Sequence, residues 1–395
     1  MRYTVNPRVK LPELLSAMQS CPQGDNAQDA FLEKVTPLFP GTDILTFNYG
    51  RSALQHLFRQ LGLKGRKVAF PAYSCRSFGA LCLAEGIEPV FVDADPRTFN
   101  ISPDQLERAL TKDVEAVVAI HTFGNPCDMD RLLELRDEHG FILVEDCAHA
   151  LGARYNGRPV GTFGDFSLFS MYKTLPNTSG AFLVVNNPDI AVEPPAMPSG
   201  MGVMEWALLL NLLDVSESLT AKRIKRSAVR FMHRYGTQGA LLDERLVEVT
   251  ACSAHPLALF THYLDRALEE VDRREAVGRL FLKRLKDIRG ITPQRVHDGM
   301  SWMNVPVLIE DASIRYRIVD AMMHKGIVCD HIWHDPVIAE PGVQEAFGIL
   351  PNDFPTAASI AESIVNLPIS GAYSLTDIDY ILSTLKTILA QRRGA

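Results

Sequence analysis

Between residues 43 and 185, short apolar runs rich in β-branched residues alternate with stretches of helical length, and that alternation leaves few folds open. Asp43–Phe47, Lys67–Phe70, Pro89–Val92, Ala116–Ile120 and Phe141–Val144 read as strands. Ser52–Leu63, Ser77–Glu85, Pro103–Leu110 and Met129–His139 read as the helices between them. Buried strands joined by crossovers of helical length predict parallel βαβ units in a doubly wound sheet. Ligands of such sheets bind beyond the carboxyl ends of the strands, so the residues just after each run are where chemistry is sought. A second region opens with the helical pattern Pro256–Lys286. It continues through expected strands Met303–Ile309 and Gly326–Val328 and expected helices Ser313–Lys325 and Leu375–Gln391, a smaller α/β domain. The expected division is a large domain over 1–250, with an insertion over about 188–248, and a small domain over 251–395.

A chain of 395 residues is long enough to bury two such cores. Its formal charge of −7 speaks against nucleic acid, which calls for a strongly basic face. The seven cysteines are odd in number and scattered, with no CxxC pair, and MRYTVNPRVK lacks the apolar core of a signal peptide. Reduced thiols, no metal site and a cytoplasmic location are therefore expected. No run is long and apolar enough to predict a transmembrane span.

Four strand-end segments carry candidate chemistry. Asn48-Tyr49-Gly50-Arg51-Ser52 is a glycine turn opening a helix, where free N–H groups and the helix dipole favour a phosphate. It is also what an ordinary βα turn looks like. Pro71-Ala72-Tyr73-Ser74-Cys75-Arg76 offers Tyr73 to stack on a planar ring and Arg76 for an anionic group, or both for packing and surface. Glu145-Asp146-Cys147-Ala148-His149 ends a buried strand with carboxylates, costly there unless a positive partner meets them. Gly161–Lys173 ends in a lysine among small, aromatic and apolar residues, a setting that lowers a lysine pKa and makes it nucleophilic; most lysines after strands are surface residues. His331, Trp333 and His334 follow the last expected strand and could face a substrate or pack locally.

Taken in order, these segments resemble the DegT/StrS-type sugar aminotransferases. Pro89–Ile101 is similar to that family's PVFVDxDPxTxNI segment, Ile120–Met129 to its vHxyGxpxDM segment, and Glu145–Asp165 to its EDaAqaxGa…GsfGD run. Asn366-Leu367-Pro368-Ile369 with Leu375-Thr376-Asp377 resembles its tail, so the resemblance runs from about Phe47 to Leu385. It implies a pyridoxal-5'-phosphate (PLP) enzyme of fold type I, with a mostly parallel central sheet flanked by helices, plus a smaller C-terminal α/β domain. By position, Lys173 would hold the cofactor and shuttle a proton, and Asp146 would pair with the pyridine nitrogen. His149 would stand near the ring oxygen, where the family often has Gln. Gly50, Arg51, Ser52 and Ser170 would bind the phosphate, and Tyr73 or Cys75 would lie over the ring face. The implied reaction moves an amino group from Glu or Gln to a keto-sugar, nucleotide-linked in most of the family, in a homodimer.

The sequence also departs from the family. Three residues separate Ser170 from Lys173, fewer than usual; Phe169–Pro176 resembles the shorter form of a divergent branch. The usual Gly-Glu-Gly-Gly is here Thr178-Ser179-Gly180-Ala181, and the Gly-x-Asn-x-Arg motif that reaches a partner subunit's site is missing around Glu248–Ser253. Elimination or decarboxylation of an amino acid is the first alternative reading, and a PLP-fold regulatory protein without turnover the second. Relatives with histidine in place of the lysine are dehydratases, which Lys173 argues against. Within the insertion, Met201–Leu213 is apolar, and Thr220–Tyr235 puts Ile224, Ala228, Phe231, Met232 and Tyr235 on one helical face with basic residues opposite. The commoner meaning is a helical pair packed on its own domain or at a dimer interface; contact of 201–235 with a membrane surface or a phosphorylated substrate is the other.

Overall fold

The computed structural model describes residues 11–20, 25–198, 248–330 and 332–391. Met201–Leu213, Thr220–Tyr235 and His331 lie outside the described residues. Two helices, α1 (Leu11–Ser20) and α2 (Asp25–Val35), precede the sheet region. The large unit then runs β1 (Asp43–Phe47), α3 (Gly50–Gln60), β2 (Lys67–Pro71), α4 (Ser77–Glu85), β3 (Glu88–Val92), α5 (Pro103–Ala109), β4 (Val114–Ile120), α6 (Met129–His139) and β5 (Ile142–Asp146). A two-residue hairpin, β6 (Arg154–Tyr155) with β7 (Arg158–Pro159), is followed by β8 (Phe166–Ser170) and β9 (Ala181–Val185). The seven-stranded sheet has the order β1-β9-β8-β5-β4-β2-β3; its neighbours pair in parallel from β8 to β3, and only β9 runs against the rest. This is a mostly parallel α/β fold of the expected type.

Side-chain alternation along these strands feeds two cores. On one face Phe70, Val118, Ile120, Val144, Phe166, Leu168 and Leu183 meet Leu54, Leu57 and Phe58 of α3. On the other, Ala69, Val117, Ala119, Leu143, Phe169 and Phe182 meet Phe31 and Val35 of α2 and Leu132 and Leu135 of α6. The helices start and stop where local chemistry dictates. Asp128 caps α6 by accepting from the Arg131 N–H at 3.3 Å, and Gly140 ends it in the left-handed region at φ 76°.

The remainder comprises α7 (Ala254–Leu285), β10 (Ile291–Pro293), β11 (Val305–Ile309), α8 (Arg315–His324), α9 (Pro341–Phe347), α10 (Pro355–Ser363), β12 (Ile364–Leu367) and α11 (Leu375–Ala390). Strands β10, β11 and β12 form an antiparallel sheet. The long α7 joins the two units. Its first half (Leu257, Phe260, Leu264) packs in the core with α2, and its second half (Val277, Phe281, Leu285) packs in the core shared with the small sheet. One expectation fails here. Gly326–Val328 is not a strand: Lys325 and Gly326 form the turn that ends α8, and single bridge positions at Ile327 and Asp330 follow rather than a ladder. The other two strands of the small sheet are instead β10 and β12, which the sequence did not single out as strands.

Two family-like motif residues prove to be structural, one joining the units and the other bracing loops of the large one. Asp93 accepts the Thr356 and Ala357 amides at 3.0 and 2.7 Å, so it caps the first turn of α10 from the large sheet. Asn100 accepts the Thr122 N–H at 2.9 Å and donates to the carbonyls of Asn125 and Pro126. No helix among the described residues is long and apolar enough to cross a membrane.

Candidate active site

Five strand-end segments meet at the carboxyl edge of the large sheet: 48–52 after β1, 72–75 after β2, 121–124 after β4, 146–149 after β5 and 171–173 after β8. The register makes them neighbours. Ile120 stands beside Asp146, Asp146 beside Leu168, and Phe47 and Ser170 both beside Ala181 of β9. The turn into α3 is pinned by the Asn48 N–H to the Thr250 carbonyl at 3.0 Å and the Gly180 N–H to the Asn48 carbonyl at 2.7 Å. Gly50 lets α3 approach β8, since a Cβ there would sit 3.3 Å from Leu168. The Arg51 guanidinium lies 5.0 Å from the Tyr49 ring centroid.

Adjacent residues at the tip of β5 point to opposite faces and have opposite environments. The fully buried Glu145 carboxylate accepts the amides of Gly161, Phe163 and Gly164 at 2.7–2.8 Å and lies 3.1 Å from His121 Nε2. His121 Nδ1 accepts the Cys127 N–H at 3.0 Å, which leaves the ring proton on Nε2 to donate to Glu145. His121, Glu145 and Cys147 are close enough together to hold a metal ion, yet the carboxylate and both ring nitrogens are already engaged in this network. Asp146, also buried, accepts the Ala148 N–H at 2.9 Å. Burial pushes its carboxyl above the usual carboxylate range, opposed by the positive charge of Lys173, the Ala148 amide and His121.

Lys173 is partly exposed, and its Nζ lies 3.0 Å from His149 Nε2. His149 Nδ1 accepts the Phe123 N–H at 3.4 Å. Burial, and secondarily the Lys173 charge, hold the His149 ring well below its ordinary pKa. Beside this pair the buried hydroxyls of Ser52 and Ser170, together with that of Thr174, have no hydrogen-bond partner among the described residues. Buried hydroxyls are normally paired, so such a set marks donors awaiting an acceptor.

The structure brings Lys173, Asp146 and His149 together and places Gly50–Ser52 and Ser170 on adjoining strand ends. Cys75 is half-buried on the segment after β2. Tyr73 is fully buried in the wall, edge-on to Trp333 at 5.5 Å and to Phe123 at 6.4 Å. Arg76 is exposed and lies 3.4 Å from Glu340. Thr174 and Phe123 also belong to the site, and neither carries a sequence signal beyond its place in a motif. Trp333 arrives from the small unit and is nearly buried against His149.

The arrangement is that of a known group of proteins. A family model of the DegT/DnrJ/EryC1/StrS aminotransferases matches residues 13–202 and 224–386. The chain belongs to that family, and is a PLP-dependent aminotransferase. It is similar to the spore coat polysaccharide biosynthesis protein SpsC of Bacillus subtilis, 28% identical over 315 residues, covering 77% of this chain and 74% of that one. It is also similar to GDP-perosamine synthase of Vibrio cholerae, 35% identical over 161 residues, covering 40% and 44% of the two chains. Among solved structures, Helicobacter pylori PseC, an aminotransferase involved in the biosynthesis of pseudoaminic acid, superposes with a TM-score of 0.75 at 18% identity, covering 99% of this chain and 100% of that one.

Proposed function

We propose that this enzyme moves an amino group from glutamate or glutamine to a keto-sugar carried on a nucleotide, with Lys173 as the residue that holds PLP. The observation that carries the reading is the meeting of Lys173, His149 and Asp146 at the ends of the adjacent parallel strands β5 and β8. The buried groups fit the cofactor part by part. Ser52 and Ser170, with Gly50 and Arg51 at the start of α3, suit a phosphate, which would accept from the two serine hydroxyls and the helix N-terminus. Asp146, desolvated and accepting the Ala148 amide, suits a protonated pyridine nitrogen. His149 suits the ring oxygen, and Cys75 or Tyr73 the ring face.

When bound, PLP supplies the electron sink that lets a substrate carbon lose its proton. The chain supplies the rest. Lys173 Nζ takes the proton from the substrate carbon and returns it on the other side of the exchange. Asp146 would be held charged by a pyridinium, which offsets the burial that otherwise raises its pKa, and the aromatic rings of Tyr73, Phe123 and Trp333 wall one side of the site. The sugar acceptor is supported by the names of the relatives, GDP-perosamine synthase and a polysaccharide biosynthesis protein. A homodimer is part of the same reading.

The absorbance spectrum of the PLP-loaded protein, wild type beside Lys173→Ala, tests it. A visible band that borohydride fixes onto Lys173, and that glutamate or glutamine converts to the amine form of the cofactor, is expected. Return of the band on adding a nucleotide-linked keto-sugar would identify the acceptor class. Failure of wild type to take up PLP, or trapping on another lysine, would sink the assignment.

A further inference from the structure

The small unit lays the ring of Trp333 against His149, the neighbour of the reacting lysine, and it does so at a conformational cost. Trp333 has φ 54°, the left-handed region that bulky side chains avoid. Such strain, of the order of 1–3 kcal/mol, persists only where the surroundings over-determine it, and it gathers at functional sites. Here both sides of the residue are tied down. Before it, the Asp330 N–H donates to the Asn366 carbonyl at 3.1 Å and Asn366 Nδ2 donates to the Ile332 carbonyl at 3.2 Å. After it, the Val337 N–H donates to the Ser74 carbonyl at 2.9 Å, tying the segment to the large sheet next to Tyr73.

So held, the indole lies 5.0 Å from the His149 ring at 32°, 5.8 Å from Phe123 at 38°, and edge-on to Tyr73. Phe123 lies parallel to His149, with 9° between the ring planes, and gives its amide to Nδ1. The backbone under His149 is fixed from the same side. Ser301 Oγ donates to the His149 carbonyl at 3.0 Å, and Gly124, at φ 84°, leaves room for it where a Cβ would collide with that hydroxyl. With Nδ1 occupied and Trp333 and Phe123 packed against the ring, Nε2 is the edge left to face Lys173, 3.0 Å away.

We propose that Trp333 is a positioning residue. It holds the imidazole of His149 in the one orientation that aims Nε2 at the nitrogen of Lys173. In this way the small unit sets the electronic surroundings of a site built otherwise on the large sheet. The proposal rests on the reading of Lys173 as the cofactor lysine.

The test uses the PLP-loaded enzyme and compares visible absorption and visible circular dichroism, which report how the bound ring is seated, with steady-state rates. Trp333→Ala, Trp333→Phe, His149→Ala and the double variant Trp333→Ala/His149→Ala are compared with wild type. Trp333→Ala is expected to move the dichroic band in the same sense as His149→Ala and to lower kcat about tenfold, the effect of a misaimed hydrogen bond, with KM for the amino donor little changed. The double variant should move no further than His149→Ala alone, since one acts through the other. Trp333→Phe, which keeps a ring there, should recover most of the wild-type band. Should Trp333→Ala not fold, Trp333→Leu against Trp333→Phe makes the same comparison of bulk with ring. A wild-type band in Trp333→Ala or Trp333→Leu, or additive shifts in the double variant, would overturn the proposal. A wild-type protein without any borohydride-trapped band on Lys173 fails the cofactor assignment itself and takes this proposal down with it, a result told apart at once from failure of the coupling.

Discussion

The two faces of the large sheet are built from the same strands, yet at the carboxyl edge they are treated in opposite ways. On the face of Glu145, polar groups are closed off: one carboxylate gathers three amides and an imidazole, and that imidazole is saturated in turn. On the face of Asp146, groups are also buried but pairing is sparse, with one amide on the carboxylate and the Ser52 and Ser170 hydroxyls without partners among the described residues. A buried polar group left unsatisfied costs about 1–3 kcal/mol, so the second face is poor architecture unless something else completes it. Saturation therefore separates residues that hold the fold from residues that wait for a ligand. By this criterion Asp93, Asn100, His121 and Glu145 belong to the first group, although they too sit in family-like motifs.

The contrast can be broken by exchanging roles. Glu145→Gln should be the most damaging to the fold, by about 3 kcal/mol, because its amide group turns a donor toward backbone donors and charge-assisted bonds are lost. Denaturant unfolding reads this directly, and an unchanged midpoint would remove the distinction between the faces. Asp146→Asn should do the reverse. Amino transfer is expected to fall about 100-fold, the loss of one charge-assisted bond, with stability unchanged or raised as a desolvated charge disappears. Ser170→Ala should leave the cofactor-free protein as stable as wild type while weakening PLP binding about tenfold, measured by titration of the visible band. If Ser170→Ala instead destabilised the cofactor-free protein, the hydroxyl would be structural after all.

The smallest expected effect concerns pH. The folded-state pKa of His149 lies below the ordinary 6.5. The unfolded chain therefore binds a proton on this group that the native ring refuses, and stability tied to it is complete above pH 6.5 and declines as pH falls below that value. Wild type should lose Tm between neutral pH and mild acid faster than His149→Gln does. Parallel curves for the two would show that His149 is not the group responsible.

Most of the large sheet was legible in the linear pattern. Helices Ser77–Glu85 and Met129–His139 fall where the alternation of strand-like and helical stretches predicts them. The Ser-x-x-Lys segment and the Glu-Asp pair could be read the same way, because strand ends bring chemistry to one edge whatever the side chains between. What could not be read was which member of a motif is saturated. Glu145 and Asp146 are adjacent carboxylates, and only the pleat, by turning one toward the 161–164 loop and the other toward Lys173, gives them different work. Gly326–Val328 looked like a strand because its apolar content suits one, but no neighbouring strand offers a ladder there. Trp333 illustrates the same limit most clearly. Its contacts with His149 and Tyr73 join positions separated by almost half of the chain or more, and its left-handed backbone is sustained by Asn366 in the small sheet and by Ser74 in the large unit. Local composition and periodicity decide secondary structure and the edge where chemistry gathers. Long-range packing decides which polar groups are satisfied and which ring backs the histidine beside the lysine, because the first depends on strand ends meeting within the large unit and the second on the small unit packing against it.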